Sequence, residues 1–433
     1  MGARPTFRVL VAIAGFAVCA LAAAEADSRQ MIRLPSSPEE KAVKEAVELL
    51  GQGKLDEADR VFSDLLTREP GSVVGLLGRA QVTLGVGAAE KAEKQVRAVI
   101  AANPKAAEAH NMLGVTLLAQ GRSDEAGRAF DQALTLRPTY ITPRAHLAAL
   151  ARMSENWAEA ERQFRELIRL APREPFGHVG LAELMLVRKG VTEGLAVLDD
   201  WKRTDPKASE PYAFKAEVCA AQNMKAEAIR EIGQAVSMSP PSAHAFRVQG
   251  DLLATEKDWK GAMAAYDRAI SLRPEYFDAL VRLGSIYAEQ GLASRAIETF
   301  KKVTVLMPGY APAFNNLAYL RAGAGDTSAE TVALVERALA LAPAYGEAMH
   351  TLGHVRLLRG EYALAVKALT DARARVGDRY DVLMDLGASY EKLGRKTEAS
   401  AAYTKALPLA PPGEKAKVEQ ALKRVTSPPG RAA

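Results

Sequence analysis

The chain holds two cysteines in 433 residues, and one of them, Cys19, falls in an N-terminal stretch that reads as a removable signal. Only Cys219 then remains, so no internal disulfide can form even in an oxidising compartment, and stability must come from packing. An excess of charge of one sign is also missing: 57 Lys and Arg stand against 52 Asp and Glu, a formal +5 diluted over the whole length. No dense basic run with interleaved aromatics occurs, which argues against a phosphate-tracking stripe and so against nucleic acid as a partner. Aromatic residues make up only 6% of the chain. There is no phosphate-binding glycine loop, no nucleophile elbow and no metal-ligand cluster, so the common signatures of enzymes are absent and neither a cofactor nor a metal is expected.

Long apolar runs are scarce too, the exception being Val9 to Ala24. It follows Arg4 and Arg8 and ends at the small-x-small sequence Ala24-Glu25-Ala26, which is the pattern of a secretory signal. The run is shorter than the about 20 apolar residues that a bilayer span needs. Cleavage after Ala26 is therefore expected, giving a signal peptide over 1–26 and a periplasmic or otherwise exported chain that does not span a membrane. Val18 stands before Cys19 where a lipobox would carry a small residue, so lipidation is not expected.

Proline, by contrast, is placed with regularity. Pro70, Pro104, Pro138, Pro172, Pro206, Pro240, Pro274 and Pro308 are each 34 residues apart. One extra residue places Pro343, Pro411 lies two units beyond, and Gly377 takes the intervening place. Units laid end to end run 39–72, 73–106, 107–140, 141–174, 175–208, 209–242, 243–276, 277–310, 311–345, 346–379 and 380–413. Within each, apolar residues recur at three- and four-residue spacing in two blocks, the mark of two amphipathic helices too short to stand alone in water. Gly114, Gly250, Gly284, Gly353 and Gly387 share one position, and Ala126, Ala160, Ala228, Ala262, Ala296, Ala365 and Ala399 another; a larger side chain at either would force the helices apart. Phe62, Phe130, Phe164, Tyr266, Phe300 and Tyr403 fill a third. Gly53, Gly121, Gly291, Gly360, Gly394 and Asn223 mark the turn between helices, and the proline stops the second one.

These residues resemble the tetratricopeptide repeat family over about 39 to 413. The closest units are 107–140, 277–310 (Leu283, Gly284, Tyr287, Gly291, Ala296, Phe300, Pro308) and 380–413 (Leu386, Gly387, Tyr390, Gly394, Ala399, Tyr403, Pro411). The resemblance implies an all-α fold, an α-solenoid in a right-handed superhelix of about eleven helical hairpins. A linker over 27–38 should precede it, and a capping helix over 414–425 and a disordered tail over 426–433 should follow. Some units depart from the pattern. Arg79 and Lys215 sit where an apolar residue is usual, Gly194 replaces the small Ala, and Ala322 to Asp326 form an extended turn. Pro408 should shorten the last second helix.

In the resembled family, first-helix residues line the concave face. Projected onto this chain, that face begins with Leu77, Leu84, Val115, Leu118, Ala145, Ala149, Phe176, Val179, Leu186 and Val187, an apolar strip of the kind that takes an amphipathic helix or extended peptide. Its later part is polar: His244, Arg247, Asp251, Asp278, Asn315, Tyr319, His350 and His354. Asn316 matches a family-typical asparagine, but the Lys, Arg and Asn clamp with which some members hold a C-terminal carboxylate cannot be assembled. His350 and His354 lie one turn apart, a spacing that can chelate a metal, although two ligands are too few for a closed site. His110, His146, His178, Trp157, Trp201 and Trp259 fall at packing positions, and Cys219 reads as a buried small hydrophobe. Tyr140, Tyr276, Tyr310 and Tyr345 recur just after the proline, as inter-repeat packing would require.

The expected function is a non-enzymatic scaffold that holds a partner protein or peptide in its groove. The resemblance extends this to exported proteins associated with envelope assembly, secretion, outer-membrane machinery or polysaccharide export. Two other readings stand beside it, a metal on His350 and His354, and an architectural spacer contacted only at its ends.

Overall fold

The computed structural model describes residues 38–51 and 54–426. The expected signal peptide, Gly53, the tail beyond Thr426 and all of the linker but Pro38 lie outside the described residues. Among the described residues there are twenty-three α-helices and one short 3-10 turn, and no strand. Their packing groups them into two units, divided between Leu272 and Arg273.

The first unit contains seven hairpins: α1 (Pro38–Gly51) with α2 (Leu55–Arg68), α3 (Val73–Gly85) with α4 (Ala89–Ala102), α5 (Ala107–Ala119) with α6 (Ser123–Leu136), α7 (Ile141–Met153) with α8 (Trp157–Leu170), α9 (Pro175–Arg188) with α10 (Val191–Thr204), α11 (Glu210–Ala221) with α12 (Lys225–Ser237), and α13 (Ala243–Thr255) with α14 (Trp259–Leu272). The second contains four: α15 (Phe277–Glu289) with α16 (Ala293–Leu306), α17 (Ala311–Gly323) with α18 (Ala329–Leu341), α19 (Gly346–Leu358) with α20 (Tyr362–Val376), and α21 (Tyr380–Lys392) with α22 (Lys396–Ala406). It ends in the 3-10 turn Leu407–Leu409 and α23 (Lys415–Thr426).

Several hairpins close by seating a large side chain of the second helix on a glycine of the first. A Cβ at Gly114 would stand 2.4 Å from the Phe130 ring, one at Gly250 2.6 Å from Tyr266, one at Gly353 2.5 Å from Leu369 and one at Gly387 2.5 Å from Tyr403. Any side chain there would push the helices apart, which is why the repeat keeps glycine opposite a bulky residue. The ring also reaches forward: Phe164 of α8 fills the space that a Cβ on Gly180 of α9 would need, 2.1 Å away. The turns behave as their residues dictate. Gly121 has φ +74°, and Asn223 takes the same left-handed region at +61°. Glu155 and Lys257 do so as well, at +57° and +61°, where no glycine or asparagine announces it.

The repeat prolines have a second use. Three first helices clamp the carbonyl of the preceding proline through their fourth residue: His110 Nε2 lies 3.0 Å from the Pro104 oxygen, Arg144 Nη2 2.9 Å from that of Pro138, and His178 Nε2 2.9 Å from that of Pro172. His110 and His178 are thus structural, as their packing positions suggest.

The irregular units are repaired rather than distorted. Lys215 is buried, with Nζ 2.8 Å from Asp199, 3.5 Å from Glu227 and 3.6 Å from Glu231, and Glu231 also takes Lys202 at 2.8 Å. A buried cation is tolerable when several carboxylates surround it, so this network joins α10, α11 and α12 where apolar contact would otherwise do so. Arg79 is exposed and pairs with Asp59 at 3.0 Å. The 322–326 turn is pinned by Arg321 to Asp326 at 2.6 Å. α22 stops at Ala406, and Pro408 lies in the 3-10 turn, since proline cannot supply the helical N–H. α23 then buries Val418, Ala421 and Val425 in one cluster with Leu383, Ala399, Tyr403 and Ala406.

Consecutive first helices pack directly on one another, α1 on α3, α3 on α5, α5 on α7, α9 on α11 and α11 on α13 in the first unit, and α17 on α19 and α19 on α21 in the second. Second helices pack chiefly on the first helices before and after them. In each unit the row of first helices is therefore the side of closest approach, the inner face of the stack.

Candidate partner-binding face

The inner face of the first unit opens with apolar residues only partly offered to solvent. Leu77, Val115 and Leu118 rest on a cluster built from Ala80, Val96, Leu113 and Leu117, and Leu84 is likewise half-buried. Ala145 and Ala149 are buried. The expectation that Phe176 lines this strip needs correcting: it is 9% exposed, its ring 6.3 Å from that of Phe164, and it fills the junction of α8 and α9. The second position of α9 lies over the preceding second helix instead of facing out. Val179 packs on Ala182, Leu198 and Trp201, and Leu186 lies against Gly194 within its own hairpin. Val187 is 69% exposed and is the most open apolar residue of the expected set.

Farther along, the face becomes polar and pairs with itself. Arg152 on α7 meets Glu183 on α9 at 2.6 Å. Burial pushes the Glu183 carboxyl above its ordinary value, and the Arg152 charge only partly opposes this. Arg247 on α13 was expected as a lining cation, but its side chain is 5% exposed and lies under its partners, Glu217 of α11 at 2.7 Å and Asp251 at 2.6 Å. Asp251 also accepts from the Tyr266 hydroxyl at 2.6 Å. One guanidinium shared by two carboxylates ties α11, α13 and α14 together. Beneath them runs a file of rings: His178 stacks on Trp201 at 4.7 Å, Trp201 stands 6.0 Å from Phe214, and Phe214 stacks on His244 at 4.1 Å. His146 stacks on Phe130 at 4.8 Å, and burial pushes its imidazole down to about 4. Cys219 is buried, and burial raises its thiol to about 11, so it is the inert small hydrophobe its position suggests.

In the second unit the histidines meet acids. His350 Nε2 and His354 Nδ1 lie 3.1 Å and 2.8 Å from the same atom, Asp385 Oδ2, and Asp381 stands 3.7 Å from His350 Nδ1. His350 is buried and His354 half-buried, with the half-exposed Tyr319 ring of α17 6.0 Å from that of His354. Asn315, one turn before Tyr319, is also buried rather than lining an open face, and its Oδ1 has no hydrogen-bond partner. The bond to Asp385 raises the His354 imidazole above its usual value despite burial. Burial works against the Asp385 charge, but the bonds from the two imidazoles outweigh it and hold the carboxyl below the usual range. Both ring nitrogens converge on one carboxylate, and among the described residues no group of three or more His, Cys, Asp or Glu is placed to hold a metal ion. Asp381 and Asp385 were missed in the sequence; they sit at the second and sixth places of the following unit, and nothing within that unit marks them out.

Stacked helical hairpins with a first-helix inner face define a helical-repeat protein, and the comparisons with known proteins name its family. Models described as tetratricopeptide repeat match residues 77–141, 350–414 and 278–305, and one described as TPR repeat matches 250–291. The chain belongs to the tetratricopeptide repeat family. Tetratricopeptide repeat protein 13 of Homo sapiens is 32% identical over 146 residues, which cover 32% of this chain and 16% of that protein, so the chain spans only a small part of this curated relative. Among solved structures, MamA is 28% identical over 40% of this chain and 94% of its own, with a TM-score of 0.35. The APC/C hetero-tetramer Cut9-Hcn1 is 14% identical over 91% of each chain, with a TM-score of 0.41.

Proposed function

We propose that the protein is an exported, non-catalytic scaffold that holds a partner protein or peptide against the inner row of first helices. Proteins of this family serve as protein-interaction scaffolds. The observation that carries the reading is the direct packing of successive first helices into one row, on which Leu118, Val187 and Tyr319 are partly or largely open. The signal pattern over 1–26 supports work in the cell envelope, in assembly, secretion or polysaccharide export. None of the helices among the described residues is long and apolar enough to cross a membrane.

Photo-crosslinking residues placed at Leu118 and at Tyr319 should each capture a discrete partner in cells, whereas one at Arg128, exposed on the second helix α6, should not. Mass spectrometry of the same adducts should find a chain beginning at Asp27. Equal capture from Arg128 would end the inner-face reading, and an adduct that retains residues 1–26 would end the cleaved-signal reading.

A further inference from the structure

The excess of positive charge is gathered in one place and not diluted over the chain as its overall count suggests. Residues 392–426 hold eight Lys or Arg against three Glu, a surplus of five, and the rest of the chain balances at 49 of each sign. All eight cations are exposed, on the end of α21, the turn after it, α22 and α23. Glu398 and Glu414 are each taken by a near neighbour, Arg395 at 2.7 Å and Lys417 at 2.9 Å. This surplus borders a groove: an open hollow of about 640 Å³ runs along one face of α22 beside the end of α23. Lys396 and Lys405 line its two ends, nine residues apart, which on a helix is about 13 Å. Lys396 makes no ion pair among the described residues, and Lys405 shares Asp378, at 3.8 Å, with Arg373. Thr397, Ser400 and Thr404 line the groove between the lysines, and among the described residues their hydroxyls have no hydrogen-bond partner. The hydroxyls of Thr370, Ser389 and Thr426 instead donate to carbonyls four residues back. Ala401, small and exposed, keeps the hollow open.

We propose that this groove takes an extended acidic segment of a partner protein, with one carboxylate on Lys396 and another on Lys405. An extended chain rises about 3.3 Å per residue and returns a side chain to the same face at every second residue, so acids four residues apart match the spacing of the two lysines. Ammonium and carboxylate make charge-assisted bonds, and the three hydroxyls, which both donate and accept, suit the peptide groups that lie between. A lipid surface fits less well, because α23 turns Val418, Ala421 and Val425 into the core and keeps no apolar face to insert. Nucleic acid fits less well too, since the groove has no ring on which a base could stack. The site lies on α22 and α23, outside the inner row of first helices, and stands whether or not that row holds a partner.

The test is fluorescence anisotropy with the full chain and two labelled serine peptides of equal length, one carrying glutamate and the other lysine at every fourth position. The glutamate peptide should bind, the lysine peptide should not, and raised salt should release the bound one. Lys396→Glu and Lys405→Glu should each weaken binding about fivefold, and Ala401→Trp, which fills the hollow without changing its charge, about tenfold or more. Lys301→Glu, exposed on α16, should change nothing. All four positions are exposed, so circular dichroism should show the native helix content in each variant. The proposal is overturned if the two peptides bind alike, or if Lys301→Glu weakens binding as much as Lys396→Glu does. It is overturned as well if Ala401→Trp leaves binding unchanged, which would mean attraction by diffuse charge without a groove. Retention of the protein on phosphatidylglycerol vesicles, with no binding of the glutamate peptide, would assign the surface to lipid and remove the acidic segment.

Discussion

Phe130→Ala should lower the stability of the first unit by about 3–5 kcal/mol, the cost of deleting a fully buried ring whose surroundings cannot collapse. The ring is 0% exposed, seated on Gly114 at one side and stacked on His146 at 4.8 Å on the other. Gly114 has no side chain to move inward, and His146 is held by its own helix, so the void would persist. Such a loss is a large share of the about 5–15 kcal/mol that holds an ordinary domain. In a stack where each hairpin touches only its neighbours, the damage should stay near α5 to α7. Urea unfolding followed by circular dichroism should therefore show an early phase in the variant. Phe130→Leu should be much milder, because Leu369 fills the equivalent place against Gly353. A loss under about 1 kcal/mol for the alanine variant would mean that the ring does not carry the hairpin.

Acid should loosen the first unit as pH falls below 6.5. His146 has a folded value of about 4 against an ordinary 6.5, with burial as the cause, and burial lowers His178 as well, against the pull of the Pro172 carbonyl. A folded value below the unfolded one means that the unfolded chain binds the proton more readily. The stability involved is whole above pH 6.5 and is lost as pH falls from there towards 4. For His146 alone the loss amounts to about 3 kcal/mol. His354 has the opposite sign, since its value is raised: its contribution is whole below the unfolded value and fades as pH rises through the folded one. Trp157, Trp201 and Trp259, the three tryptophans of the chain, all lie in the first unit, so their emission reports that unit alone. The midpoint of urea unfolding read from tryptophan emission should fall steeply between pH 6.5 and 4 in the native protein. His146→Leu should flatten most of that slope. A native midpoint that stays level over this range would show that His146 is not held neutral by the fold.

What could be read beforehand was whatever recurs inside a single repeat. The glycine at Gly114, the ring at Phe130, the turn at Gly121 and the stop at Pro138 obey local rules of backbone freedom and volume, so they announce the hairpin without any knowledge of its neighbours. What escaped depends on contacts between repeats. Asp385 reaches His350 and His354 across 35 and 31 residues, and Arg247 reaches Glu217 across 30. Phe176 carries the features of an open apolar residue, yet the ring of Phe164 in the previous hairpin buries it. Lys215 was legible as an exception but not as a repair, because its carboxylates come from α10 and α12. The candidate face was therefore legible as a row of helices, while the accessibility of each residue on it was not.

Hydrogen exchange of the full chain, alone and with the partner captured by the Leu118 or Tyr319 crosslink, reaches the main claim most directly. Added protection should appear in first helices, among them α5, α9, α17 and α19, and leave α6, α10, α18 and α20 unchanged. Protection that falls equally on both sets, or only on the second helices, would contradict the account.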